Sequence, residues 1–284
     1  MLIALSTVFL SRQPRERHLL PAGAAASTEG LLEAVAPRRL RLIRTLARPV
    51  LRSGVHGLER AALPGIQRHY AARKRYIDDA ARAFLSDPGG QLVVVGAGLD
   101  TLALRIAREL PDVRCVELDH PATSAVKQRA LGGDVPSNLD LLPLQLGEGS
   151  LAQVRGLDRT LPTFVVVEGL TMYLSEQAVQ ETLLACAQLP PGSQVLWTFM
   201  EPDPGGRLRF HHAGRAVDGW LDHQGEPFTW GLPSDEVTGF VRPLGLEVRA
   251  VATAADLRRH YLQPLGISGA LAEGEVLCLC QTTG

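Results

Sequence analysis

The sequence predicts an α/β protein built on a doubly wound, mostly parallel sheet of seven strands, preceded by a helical extension. Three observations predict it. Short continuous apolar runs, such as Gln91–Val95 (QLVVV) and Thr163–Val167 (TFVVV), have the length and composition of strands buried on both faces. Helix-like stretches alternate with such runs from about residue 91 onward. The first run ends in a glycine-rich turn, Val95-Gly96-Ala97-Gly98-Leu99-Asp100-Thr101, at the strand end where open α/β sheets bind ligands.

The elements follow in order. After the first strand, Asp100–Glu109 reads as a helix that stops near Pro111. Val113–Leu118 is the second strand and Ala122–Leu131 the second helix, with Pro121 suited to its first turn. Leu139–Leu144 and Thr163–Val167 are the third and fourth strands, Glu176–Leu189 a helix, and Ser193–Phe199 the fifth strand. Leu246–Val251 and Glu275–Cys280 complete the count, separated by a helical stretch at Ala254–Tyr261. The chain of 284 residues divides as one enlarged unit: a helical cap over 1–90, a ligand-binding core over 91–199, a loop over 200–232 and the C-terminal part of the sheet over 233–284. The cap is broken at Pro21–Gly23, Pro37 and Pro64–Gly65. A loop as long as 200–232 is expected to be a lid or a substrate wall.

Composition narrows the function classes. A net charge of -1 gives no global sign of a nucleic-acid partner. The arginines crowding residues 38–52 are expected to form a solvated helix face. The apolar start, Met1–Leu10, has no preceding cation and is too short to span a membrane, so neither an export signal nor a membrane partner is expected, and a cytoplasmic location is. The four cysteines lie mostly in apolar runs; Cys278 and Cys280 share one face of a strand without a second ligand pair at zinc spacing, so no metal is expected.

Candidate ligand-binding residues stand at the strand ends. Gly96 and Gly98 permit a tight turn and a close approach of backbone N–H groups to a ligand. The third glycine of the dinucleotide fingerprint is absent, because position 101 is Thr, and an amino-acid carboxylate and ammonium suit the turn better than a diphosphate. Glu117 and Asp119 lie on one face at the end of the second strand; Asp119, nearer the edge, is the better acceptor for ribose hydroxyls. Glu168 follows the four apolar residues Phe164–Val167 and so sits at the carboxyl edge, where it can pair with an ammonium or lie near a sulfonium, and Tyr173 can wall the reacting centre. In the basic run His69–Asp79, one arginine can return over the site and fork onto a carboxylate.

Taken together, the runs Arg73–Phe84, VVVGAGLDTLALRIA, VELDHPATSAVK and FVVVEGLTMYL resemble the leucine carboxyl methyltransferase family, whose bacterial members include polyketide O-methyltransferases of the tetracenomycin type. The resemblance is strongest over about residues 66–200. It implies the Rossmann-like class I methyltransferase fold, with the last strand inserted antiparallel, and S-adenosylmethionine as cofactor. Position by position it makes Arg73 the ligand of the methionine carboxylate, Gly96 and Gly98 the methionine-binding turn with Asp100 in support, Asp119 the ribose ligand, and Glu168 the neighbour of the amino group and the transferring methyl. Where family members carry an Asp-Leu pair after the third strand, this chain has Gln145-Leu146, which keeps an acceptor for the adenine amino group but loses its charge. The implied activity is O-methylation of a carboxylate or hydroxyl on a small molecule, polyketide-like or carboxylate-bearing. His211, His212 and His223 can serve a hydroxyl acceptor as bases, and Arg209, Arg215 and Trp220 can wall its pocket. Two rivals remain: a nicotinamide-dependent oxidoreductase on the same fold, and a non-catalytic protein that binds S-adenosylmethionine.

Overall fold

The computed structural model describes residues 1–144, 157–214 and 227–283. Seven strands form one sheet: β1 (Gln91–Val95), β2 (Cys115–Asp119), β3 (Leu139–Pro143), β4 (Thr163–Val167), β5 (Gln194–Met200), β6 (Leu246–Ala252) and β7 (Glu275–Thr282). Their order is β3-β2-β1-β4-β5-β7-β6. The first five are parallel to one another, and β7 is inserted antiparallel between β5 and β6. The chain therefore reverses its direction across the sheet between β1 and β4, leaving a crevice at their carboxyl ends.

Strand alternation divides the interior. Leu92 and Val94 of β1, with Phe164 and Val166 of β4, face one apolar layer. Val93, Val95, Val165 and Val167 face the other. Both layers are needed because the central strands are buried at every position, and each such side chain contributes roughly 1.5–3 kcal/mol.

Helices α6 (Leu102–Glu109), α7 (Pro121–Leu131), α8 (Glu176–Ala187) and α9 (Val237–Val241) cover the faces, with a last short helix at Ala254–Leu257 continuing as a π turn over Arg258–Leu262. Ahead of the sheet lie α1 (Leu2–Ser11), α2 (Ala24–Val35), α3 (Pro37–Leu46), α4 (Pro49–Ala62) and α5 (Ile66–Leu85). The expected breaks at Gly23, Pro37 and Gly65 fall at helix starts, and a further break at Pro49 follows the extended backbone of Arg48. β2 begins two residues later than its apolar pattern, since the Val113 N–H is spent on the Leu110 carbonyl in a turn.

Helix α5 positions the site. His69, Arg73, Ile77, Ala81 and Leu85 recur every fourth residue and are all buried, so one stripe runs from two basic side chains into the apolar layer. The apolar end anchors the helix, and the basic end reaches the carboxyl edge of the sheet.

Candidate ligand site at the carboxyl edge of the sheet

The turn after β1 is fixed by its backbone. Gly96 and Gly98 have φ of 69° and 53°, the left-handed region that other residues enter at a cost. A Cβ on Gly96 would stand 3.2 Å from a Leu170 methyl, whereas one on Gly98 would meet nothing within 4 Å, so Gly98 faces open space. Asp119 Oδ2 accepts from the Gly98 N–H at 2.5 Å and its Oδ1 from the His120 N–H at 2.7 Å. Asp100 Oδ1 accepts from the Leu102 N–H at 2.6 Å, closing the start of α6.

Across the crevice, α5 delivers two cations to the end of β4. Arg73 is 2% exposed. It reaches Glu168 Oε1 through Nε at 2.7 Å and Nη2 at 2.6 Å, and Glu275 Oε2 through Nη1 at 2.5 Å. Lys74 Nζ donates to Glu168 Oε2 at 2.7 Å and to Asp100 Oδ2. Glu168 is thus pinned by one cation on each oxygen. Its neighbour Gly169 is held by donation of its N–H to Thr198 Oγ1 at 2.8 Å.

The electrostatics follow from this pairing. Burial alone raises the Glu275 carboxyl, but Arg73 and His69, whose Nε2 lies 2.8 Å away, outweigh it and hold the group down at about 2. Burial also raises the Asp100 carboxyl, and Lys74 overrides this and keeps it well below the usual range. Lys74 would be lowered by burial, yet Asp100 and Glu168 raise it, so it stays charged. On the far side of the turn Lys127 donates to the Asp100 carbonyl at 2.5 Å and lies 2.5 Å from Glu117 Oε2. Both are buried, and burial raises the Glu117 carboxyl despite Lys127.

These groups line a hollow of about 190 Å³ whose walls include Arg73, Lys74, the turn from Gly96 to Thr101, Glu168 and Gly169. Met1, Ile3, Ala4 and Thr7 of α1 close another side. The structure therefore brings Arg73, Gly96, Gly98, Asp100 and Glu168 together. Asp119 is joined to the turn by the Gly98 hydrogen bond and does not line the hollow itself. Tyr173 is 39% exposed and packs on Phe228 at a ring distance of 5.5 Å, away from these walls.

Gln145 and Leu146 lie outside the described residues, as do Arg215, Trp220 and His223. Of the remaining loop candidates, Arg209 pairs with Asp203 at 2.8 Å. His211 Nε2 lies 3.3 Å from the Glu201 carbonyl, and His212 is exposed at a positive φ of 63°. None of the three lines the hollow. Cys278 and Cys280 share a strand face, their sulfurs 3.5 Å apart. No group of three or more metal-ligating side chains occurs among the described residues.

Sequence reasoning missed Lys74, Glu275, Lys127 and the inward turn of His69. The signal for His69 and Arg73 is their place on the four-residue stripe that continues as Ile77, Ala81 and Leu85. Glu275 is a lone acid opening an otherwise apolar strand, a position that requires a buried cation nearby.

The strand order, the antiparallel β7 and the glycine turn facing paired carboxylates define a Rossmann-like class I methyltransferase fold. Within that class the chain belongs to the leucine carboxyl methyltransferase family, whose model matches residues 28–187. A protein of Mycobacterium sp. strain JLS, provisionally named an S-adenosyl-L-methionine-dependent methyltransferase, is 30% identical over 205 residues, 68% of this chain and 66% of the relative. One of Mycobacterium marinum, named alike, is 37% identical over 144 residues, covering 48% of this chain and 47% of that one. The matched part thus spans just under two thirds of the first relative's length. Among solved structures, a protein from Galdieria sulphuraria provisionally named sarcosine dimethylglycine methyltransferase shares the fold, with a TM-score of 0.51 at 12% identity over 76% of this chain and 87% of that one.

Proposed function

We propose that the protein is an S-adenosylmethionine-dependent methyltransferase that methylates an oxygen, carboxylate or hydroxyl, of a small molecule. The observation that carries this reading is Glu168, fixed at the end of β4 between Arg73 and Lys74 and facing the Gly96–Gly98 turn. Family membership and the names of the mycobacterial relatives support it.

The donor set fits the cofactor. Arg73, Lys74 and Arg105 line the hollow together with Asp100 and Glu168. Cations and carboxylates therefore stand side by side, as a ligand carrying both a carboxylate and an ammonium requires. Arg73 and Lys74 retain N–H groups for the methionine carboxylate, Glu168 and Asp100 suit the ammonium, and Asp119 keeps acceptor capacity on both oxygens for ribose hydroxyls. A 190 Å³ hollow suits the amino-acid end of the molecule.

When bound, the cofactor supplies a methyl group on positively charged sulfur, open to in-line attack. What remains for the protein is to bind, orient and exclude water. Glu168 is held on both oxygens and so keeps one position, and the main chain of the turn is braced by Asp119 and Lys127. A carboxylate acceptor arrives ionised and requires no base; a hydroxyl acceptor requires one.

Methyl-labelled S-adenosylmethionine, incubated with the full chain and a panel of aromatic acids and phenols, tests the reading. Label in a base-labile product marks a methyl ester, and label in a base-stable product marks an ether. Tight binding without label in any product would favour the non-catalytic reading.

A further inference from the structure

Helix α4 is turned the wrong way round for a helix packed on a protein. None of its fourteen residues is buried. Helical spacing places Val50, Gly54, Leu58 and Ala61 on one face and Arg52, His56 and Glu59 on the opposite one. Besides Val55, which packs partly buried against the core, it is the polar face that looks inward: His56 packs edge-on against buried Phe9 at 5.4 Å, and Glu59 accepts from the Gln67 N–H at 3.3 Å. The apolar face looks out, with Val50 89% exposed, Leu58 72% and Leu51 44%. Leu42 of the preceding helix α3 adds a fourth apolar tip at 58%. Solvating four large apolar side chains within one short segment is unfavourable unless something covers them.

Charge indicates what does. Between Pro37 and Arg60 the chain carries seven arginines and one acid, Glu59. Arg38, Arg39, Arg41 and Arg48 are exposed and form no ion pair among the described residues. Apolar tips flanked by unpaired arginines match a surface that is apolar within and anionic at its rim. Self-association through this face would set seven arginines against seven more. No described helix is long and apolar enough to cross a bilayer, so the match is to a membrane that is lain upon and not spanned.

We propose that the segment of α3 and α4 docks the protein on an anionic lipid surface, with Leu42, Val50, Leu51 and Leu58 entering the headgroup boundary and the arginines meeting lipid phosphates. This revises the expectation that the arginine-rich segment is a merely solvated face and that no membrane takes part. It does not depend on the proposed methyl transfer.

The test is co-sedimentation of the full chain with vesicles of phosphatidylcholine alone and of phosphatidylcholine with phosphatidylserine in equal parts. Two variants accompany it, Val50→Asp with Leu58→Asp, and Arg38→Gln with Arg39→Gln and Arg41→Gln. All five positions are exposed, so thermal unfolding should be unchanged. Expected are selective capture by the anionic vesicles, weakening with salt, loss of capture in the first variant, and a fall of about fivefold per arginine removed in the second. Failure to sediment with anionic vesicles, equal capture by both vesicle kinds, or capture indifferent to the first variant would overturn the proposal. So would a dimer in light scattering that Val50→Asp with Leu58→Asp dissociates, since that assigns the face to a second copy.

Discussion

Arg73 grips Glu168 through Nε and Nη2, at 2.7 and 2.6 Å, across 95 residues of chain. The pair joins the helical region before the sheet to the end of β4, and it makes Glu168 a fixed point in the crevice. Replacing Arg73 by alanine would strand Glu275 in the interior and is expected to cost about 3–5 kcal/mol of stability, which confuses a binding experiment. Glu168→Gln is cleaner, because Arg73 keeps Glu275 and Lys74 keeps Asp100. It is expected to weaken S-adenosylmethionine binding about tenfold or more, the loss of one charge-assisted contact, with a smaller change in urea midpoint than Arg73→Ala. Titration calorimetry alongside urea unfolding checks both.

Glu275 gives the protein a distinct acid response. Its folded carboxyl is held at about 2, below its ordinary 4.5, mainly by Arg73 against the opposing effect of burial. A depressed carboxylate stabilises fully above its unfolded value and ceases to as pH falls through the folded one. Stability is therefore expected to drop between about pH 4.5 and pH 2, and Glu275→Gln should flatten that part of the profile while lowering stability near neutrality. Urea unfolding at a series of pH values measures the difference in slope.

The two glycines of the turn are not equivalent. Gly96→Ala meets both a positive φ and Leu170, whereas Gly98→Ala meets only the positive φ. Gly98→Ala is expected to cost about 1–2 kcal/mol, and Gly96→Ala more. Because Gly98 faces open space beside the hollow, its replacement should impair ligand binding beyond that stability loss. Thermal unfolding with and without S-adenosylmethionine separates the two effects.

Helix α1 forms a wall of the hollow through Met1, Ile3, Ala4 and Thr7. At about 190 Å³ the hollow takes the amino-acid end of the proposed ligand, which then lies against this wall. Amide exchange in α1 should change on adding S-adenosylmethionine, along with protection of the Gly98 N–H. Exchange in α1 indifferent to the ligand would place the ligand elsewhere.

The centre of the sheet was legible because β1 and β4 are written as near-continuous apolar runs, one ending at a glycine and the other at an acid. Gln91–Val95 and Thr163–Val167 match to the residue. Helix ends were legible where Pro37 and Pro121 begin helices, less so at β2, where a turn hydrogen bond consumes Val113. At the site, Gly96, Gly98 and Glu168 were visible because each stands at a strand end, and Arg73 and Asp100 through the family resemblance. Lys74, Glu275 and Lys127 were not, since what singles them out is a partner distant in sequence: Glu168, Arg73 and Glu117. The outward apolar face of α4 was equally hidden. Helical spacing reveals two faces but does not say which one meets the protein.

Binding of S-adenosylmethionine in the crevice between Arg73 and the Gly96–Gly98 turn is best measured by calorimetric titration of the full chain and of Asp119→Asn, with S-adenosylmethionine and with NADH. Saturable binding of S-adenosylmethionine, weakened about tenfold by Asp119→Asn, and no heat from NADH are expected. Binding of NADH in its place, no binding of either, or affinity for S-adenosylmethionine indifferent to Asp119→Asn would overturn the assignment of the crevice to this cofactor.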